Sequence, residues 1–136
     1  MQNYTKLIEK YEKELIRNRR YLHQNPELGF ELDNTVRYVK EELTAIGCEP
    51  IEVGNHGVTA VMGSKKGKCI LLRADMDALP MKEESRLPFA CISDLAAHTC
   101  GHDTHTAMLL TAARIFKEIE DDIPGQIKRL FQPAEE

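Results

Sequence analysis

Three stretches of the chain repeat apolar residues every three to four positions, which is the spacing of an amphipathic helix. The first is expected to end before Pro26, because proline disfavours helical geometry in the residue ahead of it. The second is expected to end at Gly47, a residue that commonly terminates helices. The predicted helices span residues 4–22, 32–46 and 103 or 104 to about 119.

Four shorter stretches are rich in β-branched and aliphatic residues and are bounded by glycine or proline, a pattern typical of strands. They span residues 50–53, 58–62, 68–74 and 126–132. The third contains the run from Cys69 to Leu72, which lacks polar alternation and so predicts a central strand covered on both faces. Helices alternate with strands along the chain, which predicts the α/β class.

Composition narrows the class of partner. The chain has 136 residues, 42% hydrophobic and 29% charged, as expected of a globular protein. No apolar run approaches the ~20 residues that cross a bilayer, and residues 1–10 lack a secretory signal, so we expect a cytoplasmic protein without a membrane partner. The net charge is −4 with scattered Lys and Arg, which argues against nucleic acid and favours a small-molecule partner.

The first candidate for chemistry is a pair of aspartates that follows the third predicted strand. Asp75 and Asp77 are two residues apart in an extended stretch, so their side chains point the same way. They could serve one cation or one cation-binding histidine. The alternative is an ordinary turn, since Asp favours turns and Pro80 follows.

The second candidate is the segment from His98 to His105, at the entry of the third predicted helix. It holds three of the five histidines and Cys100, and imidazole with thiolate is a ligand set for zinc, nickel, cobalt or iron. Gly101 lets the chain turn so that Cys100 and His102 face one ion. The other cysteines supply no second pair for a zinc finger, which favours a catalytic site. His98 and His105 could each be surface residues or could support the ligands from outside.

The third candidate is the adjacent pair Glu135 and Glu136, after the last predicted strand. One carboxylate could bind metal while the other takes a proton from water. The alternative is a frayed acidic end. All three candidates lie at element ends, and together they supply the parts for metal-assisted hydrolysis.

The motifs that carry these residues resemble those of the M20-type amidohydrolases, most closely the N-acyl-amino-acid, hippurate and indoleacetyl-amino-acid hydrolases. The similarity runs in order from about Arg17 to the end of the chain. The matching segments are residues 23–30 (HQNPELGF), 71–80 (LLRADMDALP), 87–89 (LPF), 98–108 (HTCGHDTHTAM) and 131–136 (FQPAEE).

The resemblance implies a centre of two divalent metal ions, zinc, manganese, nickel or cobalt. By the matching motifs Cys100, His102 and Glu136 would be metal ligands. Glu135 would be the general base, which takes a proton from water and passes it to the departing amine. The implied reaction hydrolyses an N-acyl amino acid to a carboxylic acid and a free amino acid.

The resemblance also implies roles around the ligands. An aspartate of the Asp-Met-Asp motif would orient a ligand, and we favour Asp77, with Asp75 as second choice. Asp103 would support His102, and His98 and His105 are further candidates for residues that support the ligands.

The implied fold is the zinc-peptidase-like catalytic domain, a mixed sheet flanked by helices. Family members are longer, with an inserted lid domain and two later histidine ligands. We therefore expect residues 1–136 to be the N-terminal portion of that domain, without the lid and inactive by itself. Glu135 and Glu136 are expected to be mobile, and an open sheet edge to favour self-association.

Two other functions stay open. The chain could be a catalytically inactive binding or regulatory module that retains the half-fold. It could also be a cysteine hydrolase in which Cys100 is the nucleophile and His102 or His105 the base. We consider the last the weakest, because a Cys-x-His spacing on one turn gives poor geometry for that pair.

Overall fold

The seven predicted elements are all present, with ends within two residues of the predicted ones. A computed structural model describes residues 4–64 and 66–136. A 3₁₀ turn at Glu120–Asp122 was not predicted. None of the helices in these two ranges combines the length and the apolar composition needed to cross a membrane. The elements are α1 (Tyr4–Gln24), α2 (Asp33–Ile46), β1 (Ile51–Val53), β2 (Gly57–Gly63), β3 (Cys69–Asp75), α3 (His102–Glu118) and β4 (Gln126–Gln132).

The ends of α2 have identifiable local causes. At its start the Glu27 carboxylate accepts hydrogen bonds from the backbone amides of Asn34 and Thr35, at 3.0 and 2.6 Å. These bonds satisfy amides that lack a partner within the helix. At its end Gly47 has a φ of 88°, and its amide donates to carbonyl oxygens of the last turn. A left-handed residue of this kind favours glycine, as the sequence predicts.

The four strands form one mixed sheet in the order β1-β2-β4-β3. Strand β2 runs antiparallel to β1 and to β4, whereas β3 and β4 are parallel. In the parallel pair Asp75 lies opposite Gln132. The carboxyl ends of β3 and β4 therefore meet at the same edge of the sheet, where the polar segments that follow them come together.

The core lies between one face of the sheet and the helices. Val58, Ala60 and Met62 alternate along β2 and are buried, together with Phe131 of β4. Apolar residues of α2 and α3 complete this cluster, and α1 packs on α3. The opposite face is open, since Val61 and Leu71 are exposed within the described part of the chain.

The prediction that β3 is central and covered on both faces is wrong for the sheet described here. Strand β3 pairs with β4 and stands at the edge of the described sheet, and its side chains Ile70 and Leu71 are 60% and 55% exposed. A continuous apolar run indicates that both faces can be buried, but burial also needs a neighbour on each side. No described strand or helix supplies it for the first half of β3.

Candidate metal centre

The centre forms where the carboxyl ends of β3 and β4 meet the start of α3. Asp75 ends β3, Glu135 and Glu136 follow β4, and His102 opens α3. Cys100 reaches the same place because Gly101, with a φ of 86°, turns the chain sharply before the helix. All three sequence motifs therefore converge, although about 60 residues separate the first from the last.

His102 is buried and presents one ring nitrogen to the centre. Its Nδ1 lies 2.8 Å from the backbone carbonyl oxygen of Asp77, which can only accept, so Nδ1 carries the proton. Its Nε2 is left with a free lone pair. This nitrogen lies 3.6 Å from a Glu135 carboxylate oxygen, 3.8 Å from one of Glu136 and 4.0 Å from one of Asp75. The ring is thus oriented as a metal ligand requires.

Cys100, His102 and Glu136 offer three ligand atoms that all lie within 4.8 Å of one another. The pKa of the Cys100 thiol is raised by its hydrogen bond to Glu136, by desolvation and by the charges of Glu136, Glu135 and Asp75. This accumulation of negative charge is what a divalent cation would compensate. One thiolate, one imidazole and one carboxylate fit a borderline-soft ion such as zinc, cobalt or nickel, and the carboxylates also suit manganese.

A second group of three ligand atoms, from Asp75, His102 and His105, also lies within 4.8 Å. His105 Nδ1 is 3.2 Å from a carboxylate oxygen of Asp75, and its side chain is 44% exposed. Arg73 Nη1 lies 2.7 Å from the other oxygen of Asp75. Because His102 has one free nitrogen, the two groups share it, and Asp75 and His105 line the same centre from the β3 side.

Asp77 connects the motifs, and it does so with two different parts of the residue. Its carbonyl oxygen orients His102, as described above. Its fully buried carboxylate accepts hydrogen bonds from the backbone amides of Glu135 and Glu136, at 3.1 and 3.0 Å. Asp77 thus anchors the backbone of both glutamates, and the mobility expected of them stays a prediction. The favoured orienting aspartate accepts a hydrogen bond from His102 Nδ1 through its backbone oxygen at 2.8 Å, and its carboxylate oxygen Oδ1 lies farther away, at 3.5 Å from the same nitrogen.

Asp103 and His98, which we expected to support the ligands, lie beside the centre rather than in it. Asp103 is buried, and one of its oxygens accepts from His23 Nδ1 at 2.7 Å and from Arg19 Nε at 2.9 Å. The Asp103 carboxylate therefore makes no hydrogen bond to the His102 ring. It supports His102 only through the backbone of α3, in which the two residues are adjacent. His98 is buried, its ring nitrogens have no hydrogen-bond partner among the described residues, and burial lowers its pKa to about 4.

Sequence reasoning missed two residues next to the centre. His23 Nε2 lies 2.9 Å from a carboxylate oxygen of Glu83, while His23 Nδ1 binds Asp103. His23 is the first residue of the matching segment 23–30, and this position was the one signal in the sequence that could have pointed to it. Nothing in the sequence indicated that Glu83, in an irregular stretch 60 residues later, would be its partner.

The electrostatics of Cys100 argue against the cysteine hydrolase. A nucleophilic thiol needs a lowered pKa and a neighbouring base that takes its proton. The acidic surroundings of Cys100 raise its pKa instead. A thiol of this kind becomes a thiolate most readily when it binds a cation.

The comparisons with known proteins agree with the motifs. Residues 71–136 match the model of peptidase family M20/M25/M40. The chain is 43% identical over 135 residues to an N-acyl-L-amino acid amidohydrolase of Geobacillus stearothermophilus, covering 96% of this chain and 36% of the relative. It is 45% identical over 127 residues to an N-acetyl-L-cysteine deacetylase of Bacillus subtilis, covering 92% of this chain and 30% of the relative.

The fold is similar to that of the Bacillus subtilis YXEP protein, described as a dinuclear metal-binding peptidase of the M20 family. The TM-score is 0.87 with 36% identity, over 93% of this chain and 36% of that one. The chain thus spans about a third of the length of these relatives. The resemblance seen in the motifs and the predicted fold class are both confirmed.

Proposed function

We propose that this chain, whose sequence and fold match peptidase family M20, is part of a metal-dependent amidohydrolase that cleaves N-acyl amino acids. The observation that carries the proposal is the cluster of Cys100, His102 and Glu136, with ligand atoms within 4.8 Å and Glu135 beside them. The relatives named as an N-acyl-L-amino acid amidohydrolase and an N-acetyl-L-cysteine deacetylase support the substrate class.

Cys100, His102 and Glu136 would hold one divalent ion, and Asp75 and His105 lie where they could contribute to a second. The chemistry that two such ions supply when bound is a lower pKa for water and a polarised amide carbonyl. The dinuclear description of the YXEP protein supports two ions, and zinc, manganese, nickel and cobalt all suit the donors.

The residues of this chain have separable tasks in the reaction. Glu135, 39% exposed and 3.6 Å from His102 Nε2, is free to take a proton from the attacking water. The same carboxylic acid then protonates the amine as the C–N bond breaks, so it is returned to the carboxylate. Asp77 keeps Glu135 and Glu136 in register with each other, because its two oxygens bind their successive amides.

Domain organisation also belongs to the proposal. We propose that residues 1–136 are the N-terminal portion of the catalytic domain and that a complete centre needs further ligands. By itself the chain would then bind metal but turn over substrate slowly or not at all. A cytoplasmic location and self-association through the exposed β3 edge stay predictions.

The first test is metal binding by the chain itself. Zn²⁺ binding is measured by calorimetry for the wild type, for Cys100→Ala and for Cys69→Ala, which removes an exposed cysteine away from the centre. We expect Cys100→Ala to lose most binding and Cys69→Ala to keep it. Unchanged affinity in Cys100→Ala would contradict the ligand assignment.

The second test is amine release from N-acetyl amino acids by the full gene product, loaded with Zn²⁺ or Mn²⁺. Glu135→Gln is expected to lose activity by at least about 100-fold while it retains the metal, since a positioned base contributes about 10²–10⁴-fold. Metal bound without any amine release from a range of N-acyl amino acids would favour the inactive binding or regulatory module.

A further inference from the structure

A buried group of ionisable side chains lies beside the metal centre without contributing a ligand to it. His23, in the last turn of α1, lies between two carboxylates. Its Nδ1 is 2.7 Å from Asp103 and its Nε2 is 2.9 Å from Glu83, and the side chains of the three residues are 7%, 0% and 6% exposed. With Arg19, which binds Asp103, they form what we call the His23 network.

Both carboxylates of the network are acceptors. Asp103 also receives the Arg19 guanidinium and, at 2.8 Å, the backbone amide of Thr104. Burial alone would raise the pKa of Glu83, but hydrogen bonds from Ser85, from His23 and from the Cys91 amide lower it to about 2. Each ring nitrogen of His23 lies within hydrogen-bond distance of one carboxylate, Nδ1 of Asp103 and Nε2 of Glu83. The ring therefore bridges the two carboxylates.

The two carboxylates belong to the two segments that flank the ligands Cys100 and His102. Asp103 follows His102 directly in α3. Glu83 belongs to residues 80–98, the irregular segment that leads from β3 back to the centre.

The two ends of that segment are bonded to each other, next to Thr99 and Cys100. Leu79 and Ala97 exchange backbone hydrogen bonds of 3.1 and 3.0 Å. The Thr99 hydroxyl lies 3.1 Å from the sulfur of Met81. A displacement of Glu83 would thus be passed to Thr99 and to its neighbour Cys100.

We propose that His23 is a positioning residue of the metal centre, which holds α3 and residues 80–98 at the separation that lets Cys100 and His102 face one ion. The inference rests on the proposed metal centre. It assigns to α1, which supplies no ligand, the task of fixing the distance between the two segments that flank Cys100 and His102.

An imidazole suits this task because it carries two nitrogens on opposite sides of a rigid ring and so can reach both carboxylates at once. A glutamine in its place would donate at one end and turn a carbonyl oxygen toward a carboxylate at the other. The neighbouring Phe89 adds to the anchor, with its ring 5.6 Å from that of His23 and edge-on to it. The guanidinium groups of Arg19 and Arg20 lie over the Phe89 ring at 5.1 and 4.8 Å.

The test uses Co²⁺, whose absorption spectrum reports a bound thiolate directly. Co²⁺ is titrated into the wild type, His23→Gln, Glu83→Gln and the matched control His56→Asn, with folding checked by circular dichroism. His56 also faces a carboxylate, that of Asp33 at 3.7 Å, but belongs to the turn between β1 and β2. We expect folded His23→Gln to bind Co²⁺ about 10- to 100-fold more weakly with a diminished thiolate band, and His56→Asn to match the wild type.

The outcomes separate this inference from the proposed function. A wild type without a thiolate band, or a band that survives in Cys100→Ala, would refute the metal centre itself. If that band is present and depends on Cys100, folded His23→Gln with wild-type affinity and spectrum would overturn the positioning role alone. Should His23→Gln fail to fold, Glu83→Gln decides. A loss of about tenfold or more in that folded variant supports the role, and a smaller loss overturns it.

Discussion

Asp77 offers the sharpest test of how the centre is held together. In Asp77→Asn one carboxylate oxygen becomes an amide nitrogen, which cannot accept a hydrogen bond from a backbone amide. The backbone of the residue, and with it the bond from His102, is unchanged. The substitution therefore acts mainly on the two amides of Glu135 and Glu136, which lie 3.1 and 3.0 Å from the carboxylate, and less on His102 Nδ1, which lies 3.5 Å from Oδ1.

The expected magnitude follows from these two bonds. A hydrogen bond to a charged group contributes about 1.5–3 kcal/mol, so losing one bond and the charge behind the other costs about 2–4 kcal/mol. Part of the free energy of metal binding is then used to bring Glu136 back to its binding position, so the affinity for the metal falls. At 1.36 kcal/mol per factor of ten, the lower figure predicts an affinity for Zn²⁺ that falls by about 30-fold.

The assay is competition for Zn²⁺ with a chromophoric chelator at neutral pH. The control is Asp121→Asn, an exposed aspartate in the 3₁₀ turn beyond the far end of α3. It is expected to leave the affinity unchanged. Folded Asp77→Asn with an affinity within about twofold of the wild type, far less than the cost of a charged hydrogen bond, would refute the view that Asp77 organises the glutamates.

Three further predictions concern the surroundings of the site and the core. Glu136→Gln is expected to lower the pKa of Cys100 in the metal-free protein, because Glu136 is the main cause of its rise, so iodoacetamide should react faster at pH 8. Glu83 has a folded pKa of about 2, below the ~4.3 of a free side chain. The ionised Glu83 carboxylate therefore stabilises the folded protein fully above pH ~4.3, and this stabilisation is lost as the pH falls toward 2. Urea unfolding should therefore show a smaller loss of stability between pH 5 and pH 2 for Glu83→Gln than for the wild type. Leu110→Ala, at a fully buried position, is expected to cost about 2–5 kcal/mol of unfolding free energy, whereas the half-exposed Met108→Ala should cost about 0.5 kcal/mol or less.

The elements could be predicted because their signals are local. The repeat of apolar positions placed α1 to α3, and Gly47 marked a helix end at which it adopts the left-handed conformation. The environment of β3 could not be predicted in the same way. An apolar run describes what a strand can bury, whereas its actual neighbours depend on which strands pair, and that is decided over the whole sheet.

The convergence of the three motifs was predictable from their positions at element ends, but the atoms in contact were not. Asp77 was expected to orient a ligand, and its carbonyl oxygen is the atom nearest to His102 Nδ1, while its carboxylate accepts hydrogen bonds from the Glu135 and Glu136 amides. Which part of a residue faces a neighbour depends on backbone direction after a strand ends. His23 was missed because its partners Asp103 and Glu83 are distant in sequence and carry no signal of pairing.

The parallel pairing of β3 with β4 has a consequence for folding as well as for the site. Asp75 opposes Gln132 in that pairing, and a slip of one residue would move Asp77 about 3.3 Å along the partner and turn alternate side chains to the other face. The glutamate amides would then lose their acceptor and the donor atoms would separate. An ion that binds these donors would therefore favour the correct register over its slipped alternatives, and this stabilisation would grow as the concentration of the ion rises above the dissociation constant. A metal ion bound at the proposed centre would therefore stabilise the correct strand pairing whether or not a substrate is present.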